Sequence, residues 1–171
     1  MSQHLPNRID PRRYADAGRV LEGSRPMRGM ARLAESAILD DGSVEVVLRF
    51  ERDLVGHRLL HGEITATVEL LCQRCLEPYR HDLHSHFVLA FIKREAEADE
   101  LPDEYEPVVL EEEGELTLDE LIEDELLLSL PIVAMHPLEA CPAAGLADSD
   151  MEPETVERKN PFALLAQLKP K

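Results

Sequence analysis

The chain has 171 residues, which gives room for one domain with its own core, together with tails or loops. Its hydrophobic content is 44% and its aromatic content only 4%, so we expect a core of leucine, valine, isoleucine and alanine. The sequence lacks both the roughly 18 uninterrupted apolar residues of a membrane span and the apolar start of a signal peptide. These properties favour a cytoplasmic protein without disulfide bonds over a membrane or secreted protein.

The formal net charge of −17 is concentrated in one part of the sequence. Between residues 95 and 157 there are 22 Asp or Glu residues and no Lys or Arg. Such a region repels nucleic-acid phosphates over a Debye length of about 8–10 Å, and nucleic-acid-binding proteins usually carry basic surfaces. A basic partner is the natural complement of this region, and the alternative is that the acidity only keeps the protein soluble.

The first half of the chain predicts a short helix followed by two β-hairpins. Asp10 and Pro11 are typical of a helix start, and apolar residues on one face carry this helix to Gly23. Turn residues at 40–42 and alternating apolar side chains further on indicate the hairpins. The predicted strands lie at 32–39 with 44–50, and at 62–71 with 79–93.

The second half predicts an acidic loop and an amphipathic helix. Residues 95–106 contain Pro102 and have no steady apolar period, so they predict an exposed loop. Thr117 followed by Glu120 is typical of a capping box, and it begins a helix that runs to about residue 130. The apolar face of this helix consists of Leu118, Leu121, Ile122 and Leu126. We therefore expect the helix to cover one face of the sheet with its carboxylates in water.

These elements predict an α+β fold, in which antiparallel hairpins form a curved sheet packed by one acidic amphipathic helix, with short helices at both ends. Residues 1–135 would form the single domain. Residues 136–159 are rich in Ala, Asp, Glu and Pro and predict a mobile linker. Residues 160–171 predict an amphipathic helix with Pro161 at its first position. This helix either docks on a partner or covers the sheet.

A Cys-x-x-Cys motif lies between the strands of the second hairpin. Cys72 and Cys75 have the spacing of half a tetrahedral zinc site, and His136 and Cys141 are the later residues that would complete it. Such a site would be structural, because it ties the hairpin turn to the segment after the acidic helix. The alternative is that the three cysteines are small, partly buried side chains without a metal. Redox activity is disfavoured, since a redox motif would begin a helix.

No residue pattern in the chain indicates catalysis. The acidic residues around the second helix could be imagined as a catalytic metal or acid–base cluster, but a solvated helix face is the favoured interpretation. They are Glu111, Glu112, Glu113, Asp119, Glu120, Glu123, Asp124 and Glu125. The histidines at 81, 84 and 86 lie in one predicted strand without a nearby nucleophile pattern. We therefore expect a protein that is not an enzyme.

Three sequence blocks together resemble the YceD family of large ribosomal RNA accumulation proteins. They are CQRCLEP at 72–78, EDELLLSLP at 123–131 and NPFALL at 160–165. The resemblance implies a role in the accumulation or processing of large-subunit ribosomal RNA, commonly beside the gene of a small basic large-subunit ribosomal protein. Many relatives look cysteine-rich after the second block, which implies that His136 stands in for a thiolate. This chain departs from them at 142–145, which carries no further Cys-x-x-Cys.

Two binding hypotheses follow, and neither fixes the oligomeric state. In the first, the acidic surface between residues 95 and 125 screens the charge of a basic large-subunit ribosomal protein. Its candidate contact residues are Arg74, Glu123, Asp124, Glu125, Phe162 and Leu165. In the second, the chain binds precursor ribosomal RNA directly through Arg12, Arg13, Arg28, Arg32, Arg74 and Arg80. A metal-dependent nuclease that uses the acidic cluster is a third and disfavoured reading.

Overall fold

A computed structural model of the chain describes residues 5–110 and 114–143. Within these ranges the fold is α+β, with a five-stranded sheet, a two-stranded sheet, two α-helices and three short 3-10 helices. The strands are β1 (Arg8–Ile9), β2 (Val20–Pro26), β3 (Ser43–Arg52), β4 (Arg58–Leu71), β5 (Pro78–Ile92), β6 (Glu106–Val109) and β7 (Leu116–Thr117). The α-helices are α1 (Pro11–Asp16) and α2 (Leu118–Leu128), and the 3-10 helices are Leu33–Glu35, Glu95–Glu100 and Leu138–Ala140. None of the helices in the described ranges is long and apolar enough to span a membrane.

The five-stranded sheet has the order β2-β3-β4-β5-β6 and is antiparallel except for the parallel pair β5 and β6. Both strands of the second predicted hairpin are present as β4 and β5, paired from Arg58 with Phe91 to Leu71 with Pro78. Alternate residues of β4 are buried because successive side chains point to opposite faces of a strand. The hairpin therefore gives the core one long apolar face and carries the Cys-x-x-Cys turn at its end.

The first predicted hairpin is wrong in its pairing. Residues 32–39 do not form a strand: they contain the 3-10 helix Leu33–Glu35, and Ile38 alone makes a bridge to Glu69 of β4. The reason is a contact that is distant in sequence, since the Glu123 carboxylate accepts hydrogen bonds from the backbone N–H groups of Arg32 (2.8 Å) and Leu33 (3.1 Å). Strand β3 pairs with β2 instead.

The N-terminal helix is shorter than predicted. Asp10 caps α1 by accepting from the N–H groups of Arg12 and Arg13, as the Asp-Pro start indicated. The helix ends at Asp16 rather than near Gly23, because Gly18 has a left-handed backbone (φ 58°). Val20 and Leu21, which suggested a helical face, belong to β2.

Helix α2 closes the core over the sheet. Its four predicted apolar residues, Leu118, Leu121, Ile122 and Leu126, are buried with the inward side chains of β3, β4 and β5. Thr117 is the N-cap residue, but its side chain makes no capping hydrogen bond, so the predicted capping box is not formed. The predicted terminal helix at 160–171 and most of the predicted linker lie outside the described residues.

Candidate metal centre

The turn between β4 and β5 is built around Cys72 and Cys75. The Cys72 N–H donates to the carbonyl of Glu77 (3.0 Å), and the N–H of Leu76 donates back to the carbonyl of Cys72 (2.8 Å). Leu76 adopts a left-handed backbone with φ 62°, which closes the turn tightly. Cys72 is fully buried and Cys75 half-buried. The hairpin thus presents two sulfur ligands from one rigid turn.

The segment after α2 brings the other two predicted ligands to this turn. The carbonyl of Ala134 accepts a hydrogen bond from Gln73 N–H (2.8 Å), which fixes the segment against the hairpin. The ring of His136 packs on the ring of Tyr79 with a centroid distance of 4.9 Å. The 3-10 helix Leu138–Ala140 then delivers Cys141, which is buried. Four side chains that are far apart in sequence therefore share one site.

The site has the donors of a tetrahedral metal centre, and its four ligand atoms lie close together. The ligand atoms of Cys72, Cys75, His136 and Cys141 all lie within 4.8 Å of one another. Zinc–sulfur bonds of about 2.3 Å and zinc–nitrogen bonds of about 2.0–2.1 Å place tetrahedral ligands roughly 3.5–3.8 Å apart. The distance from Cys75 Sγ to His136 Nδ1 is 3.4 Å, in agreement with this geometry. Three thiols and one imidazole form a donor set that suits zinc.

The protein environment favours a thiolate at Cys72. Burial alone would raise the pKa of this thiol, but the backbone N–H groups of Cys75, His136 and Arg74 donate to its sulfur, so its pKa is lowered to about 5. The hydrogen bond from His136 N–H to Cys72 Sγ is 3.4 Å long. At Cys75, burial together with the neighbouring sulfurs raises the pKa. Since a metal binds the deprotonated sulfur, the turn is already arranged for one charged ligand.

Two of the acidic residues predicted as a contact surface are buried. Glu123 and Glu125 are 9% and 7% exposed, so the expectation of a solvated helix face is wrong for both. Glu123 binds Arg32 and the start of the Leu33–Glu35 helix, while Glu125 accepts a 2.7 Å hydrogen bond from Ser85 Oγ. Asp124 is exposed and forms an ion pair with Arg32. These carboxylates connect α2 to its neighbours within the domain.

The arginines proposed for RNA contact are mostly engaged within the chain. Arg12 donates to the carbonyl of Leu110, Arg13 pairs with Asp10, Arg28 with Asp41, Arg32 with Glu123 and Asp124, and Arg74 contacts the sulfur of Met135. Arg80 is exposed on β5. Apart from Arg12 and Arg13, which share α1, the six arginines lie on different elements or turns.

Exposed carboxylates cluster in the segment that runs from the end of β5 to the first residue of β6. We call this the acidic surface; it consists of Glu95, Asp99, Glu100, Asp103, Glu104 and Glu106. Among the described residues, none of the six has a salt bridge to Lys or Arg, whereas Glu97 is paired with Arg94. Burial and the nearby carboxylates of Asp53, Glu104 and Glu51 raise the pKa of Tyr105.

Sequence reasoning missed one residue that supports the site and one that binds a buried acid of α2. Tyr79 packs against the ring of His136, and Ser85 donates a hydrogen bond to Glu125. Tyr79 stands four residues after Cys75, and an aromatic residue so near a Cys-x-x-Cys is a weak signal. Phe162 and Leu165, which were predicted to bind a partner, lie outside the described residues.

Comparison with known proteins identifies one family. The sequence pattern of the family described as "Large ribosomal RNA subunit accumulation protein YceD" matches residues 60–169. A protein of that name from Haemophilus influenzae is 37% identical over 171 residues, covering 98% of this chain and 97% of the relative. No solved structure matches the chain.

Proposed function

The chain belongs to the family of large ribosomal RNA subunit accumulation proteins, and from this premise we propose that it acts as a non-catalytic binding module for a basic large-subunit ribosomal protein. By this binding it promotes the accumulation or processing of large-subunit (23S-type) ribosomal RNA in the cytoplasm. The observation that carries the proposal is the acidic surface, whose carboxylates are exposed and have no Lys or Arg partner among the described residues. Such a surface attracts a cationic protein before it contacts RNA.

The acidic surface is suited to a transient escort. Its carboxylates are in water, where each pairing with a cation contributes little, so binding depends on many weak contacts that salt screens. A partner held in this way is released when ribosomal RNA offers a higher density of negative charge. No reaction is required of the protein, and the proposal includes no catalytic step.

The alternative function is direct binding of precursor ribosomal RNA through the arginines. Arg13, Arg28 and Arg32 form ion pairs with carboxylates of the same chain, so a phosphate contact at these positions would first have to break an internal pair. Exposed Arg80 is the position at which this alternative is easiest to test. The arrangement of charges favours the acidic escort.

The role of the acidic surface is tested by neutralising three of its carboxylates. A control variant loses the same number of negative charges elsewhere on the chain. Glu100→Gln, Asp103→Asn and Glu104→Gln are combined in one variant, and Glu22→Gln, Glu45→Gln and Glu139→Gln in the control. Each tagged chain is used to capture proteins and RNA from cells, with and without nuclease, at about 50 and 200 mM salt. The ratio of 23S-type to 16S-type RNA is measured in cells that carry each variant as their only copy.

We expect the native chain and the control to retain a basic ribosomal protein after nuclease treatment at low salt. The acidic-surface variant should lose this protein and lower the 23S-type RNA several-fold. If the tagged chain captures only RNA, and nuclease treatment removes everything that it captured, the escort proposal is wrong and direct RNA binding is supported. If both variants fail equally, total charge rather than this surface matters, and the proposal is wrong.

We also propose that Cys72, Cys75, His136 and Cys141 hold one structural zinc ion. The donor set and the spacing of the four ligand atoms support it. When bound, zinc would fasten the hairpin turn to the segment after α2. Metal analysis of the natively purified chain should give about one zinc per chain, and Cys72→Ser should remove it, while the control His84→Ala, outside the cluster, should keep it. If the natively purified protein contains no zinc, the proposal of a zinc centre is wrong.

A further inference from the structure

A groove whose walls carry both aliphatic and polar side chains lies beside the candidate metal centre and is open to solvent. We call it the apolar groove after its aliphatic residues; its volume is about 480 Å³. It is lined by residues 34–38, 69–71, 130–132, Gln73 and Ala134. Ile38, Leu71 and Ile132 on its walls are 47%, 53% and 98% exposed. Three large aliphatic side chains left in water around one groove favour a surface that is covered by another segment.

We propose that the apolar groove is the docking site for the C-terminal segment 160–171 of the same chain. This segment has the sequence NPFALLAQLKPK, in which Phe162, Leu164, Leu165 and Leu168 recur at helical spacing. Such a face fits a groove walled by aliphatic side chains.

The chain leaves the described part of the structure close to the groove. Ala134, on the groove wall, accepts a hydrogen bond from Gln73, and Cys141 lies in the metal centre that begins at Cys72. The described residues end at 143, so 16 residues separate this point from the segment. Fully extended, they span at most about 55 Å, which is ample for a return to the groove. A tether of this length gives an effective concentration in the millimolar range, so a weak apolar contact suffices.

Charge complementarity favours the same occupant. After Arg94 the only Lys or Arg residues are Arg158, Lys159, Lys169 and Lys171, which flank the apolar run of the segment. Two carboxylates, Glu35 and Glu69, line the groove. A segment with an apolar centre and cationic ends therefore matches a groove with apolar walls and acidic residues. The family match also runs through this segment to residue 169.

The test is photo-cross-linking in the full-length protein. A benzophenone amino acid is placed at Ile132, and in a second protein at Ile38, so that one perturbed position does not decide the result. The control carries it at Leu54, which is fully exposed in the turn between β3 and β4. After irradiation of the purified protein, the cross-linked peptides are identified by mass spectrometry.

We expect both groove positions to cross-link to residues 160–168 of the same chain, independently of protein concentration, and the Leu54 position not to do so. Phe162→Asp with Leu165→Asp should reduce the cross-link several-fold. A covalent dimer would mean that a second copy occupies the groove. A cross-link that forms only with another protein, in cells, would assign the groove to that protein. Either result, or the absence of any cross-link to the segment from both positions, overturns the proposal.

Discussion

Leu76 holds a backbone conformation that suits glycine better than leucine. Its φ of 62° lies in the left-handed region, where a Cβ atom costs roughly 1–2 kcal/mol, and its side chain is largely exposed. The turn needs this conformation because it directs the chain after Leu76 so that the carbonyl of Glu77 reaches the N–H of Cys72. The strain is therefore located directly beside Cys75, one of the four candidate metal ligands.

We predict that Leu76→Gly leaves stability unchanged or raises it by up to about 1 kcal/mol, while Leu76→Val lowers it by about 1 kcal/mol or more. Urea unfolding of the three proteins at equal zinc measures the difference. If Val is as stable as Gly, the left-handed conformation is not maintained in solution.

Glu125 is a buried acid whose ionised form opposes folding. Burial raises its pKa, the hydrogen bond from Ser85 partly offsets this, and the nearby carboxylates of Glu106 and Asp124 raise it further. An acid whose folded pKa exceeds its unfolded pKa destabilises the protein at pH values above the folded pKa. This loss disappears as the pH falls toward the unfolded value.

We predict that Glu125→Gln is at least as stable as the native chain at neutral pH, since glutamine still accepts from Ser85 without a charge. The advantage should shrink as the pH is lowered toward about 4.5. Denaturant unfolding at a series of pH values tests this, with Glu120→Gln on the exposed face of α2 as the control. An advantage that grows at low pH would contradict the assigned direction.

At the scale of elements, Gly62 and Phe87 are in close contact within the central hairpin. They are directly opposite on β4 and β5, and the ring of Phe87 occupies the space that a Cβ atom on residue 62 would need. Glycine in a strand interior is otherwise unfavourable, so its presence here reflects this close approach.

We predict that Gly62→Ala lowers the free energy of unfolding by about 1–3 kcal/mol, because the ring must move. With Phe87→Leu in the same chain, the combined loss should be smaller than the sum by about 1 kcal/mol or more. Phe91→Leu, a buried β5 phenylalanine away from Gly62, serves as the control and should combine additively with Gly62→Ala. Additive behaviour of both pairs would mean that Phe87 does not cause the loss.

The elements that sequence reasoning located are those whose burial repeats with a regular period. Strand β4 alternates buried and half-exposed residues, and α2 buries four residues at helical spacing. Residues 32–39 carried a similar apolar pattern, but their backbone is held by Glu123, which is about 90 residues away in sequence. The same contact explains why Glu123 is buried although charge patterning indicated a solvated face. Side-chain to backbone contacts across such distances leave no local pattern.

At the scale of the molecule, the clustering of the four candidate ligands was predictable and the surfaces around it were not. Cys72 and Cys75 have the spacing of half a tetrahedral zinc site, and this indicated His136 and Cys141 as the later residues that would complete it. The apolar groove, in contrast, is formed by side chains from three separate segments, of which Ile38, Leu71 and Ile132 are single exposed residues in unrelated patterns. Such a surface exists only once the fold has brought the segments together.

A metal at the centre would join the turn between β4 and β5 to the segment after α2, so its effect on stability is a property of the whole molecule. Closing a loop of about 60 residues between Cys75 and His136 removes unfolded-chain entropy worth roughly 2–4 kcal/mol.

We predict that a strong chelator lowers the Tm of the native chain by roughly 10 °C, and that Cys141→Ser lowers it to a similar extent. The two effects should not add, since each removes the same closure. The His84→Ala control should respond to the chelator as the native chain does. Thermal unfolding of the three proteins with and without chelator measures the six Tm values. A chelator effect that is equally large in the Cys141→Ser variant would show that the metal stabilises the protein somewhere other than at this centre.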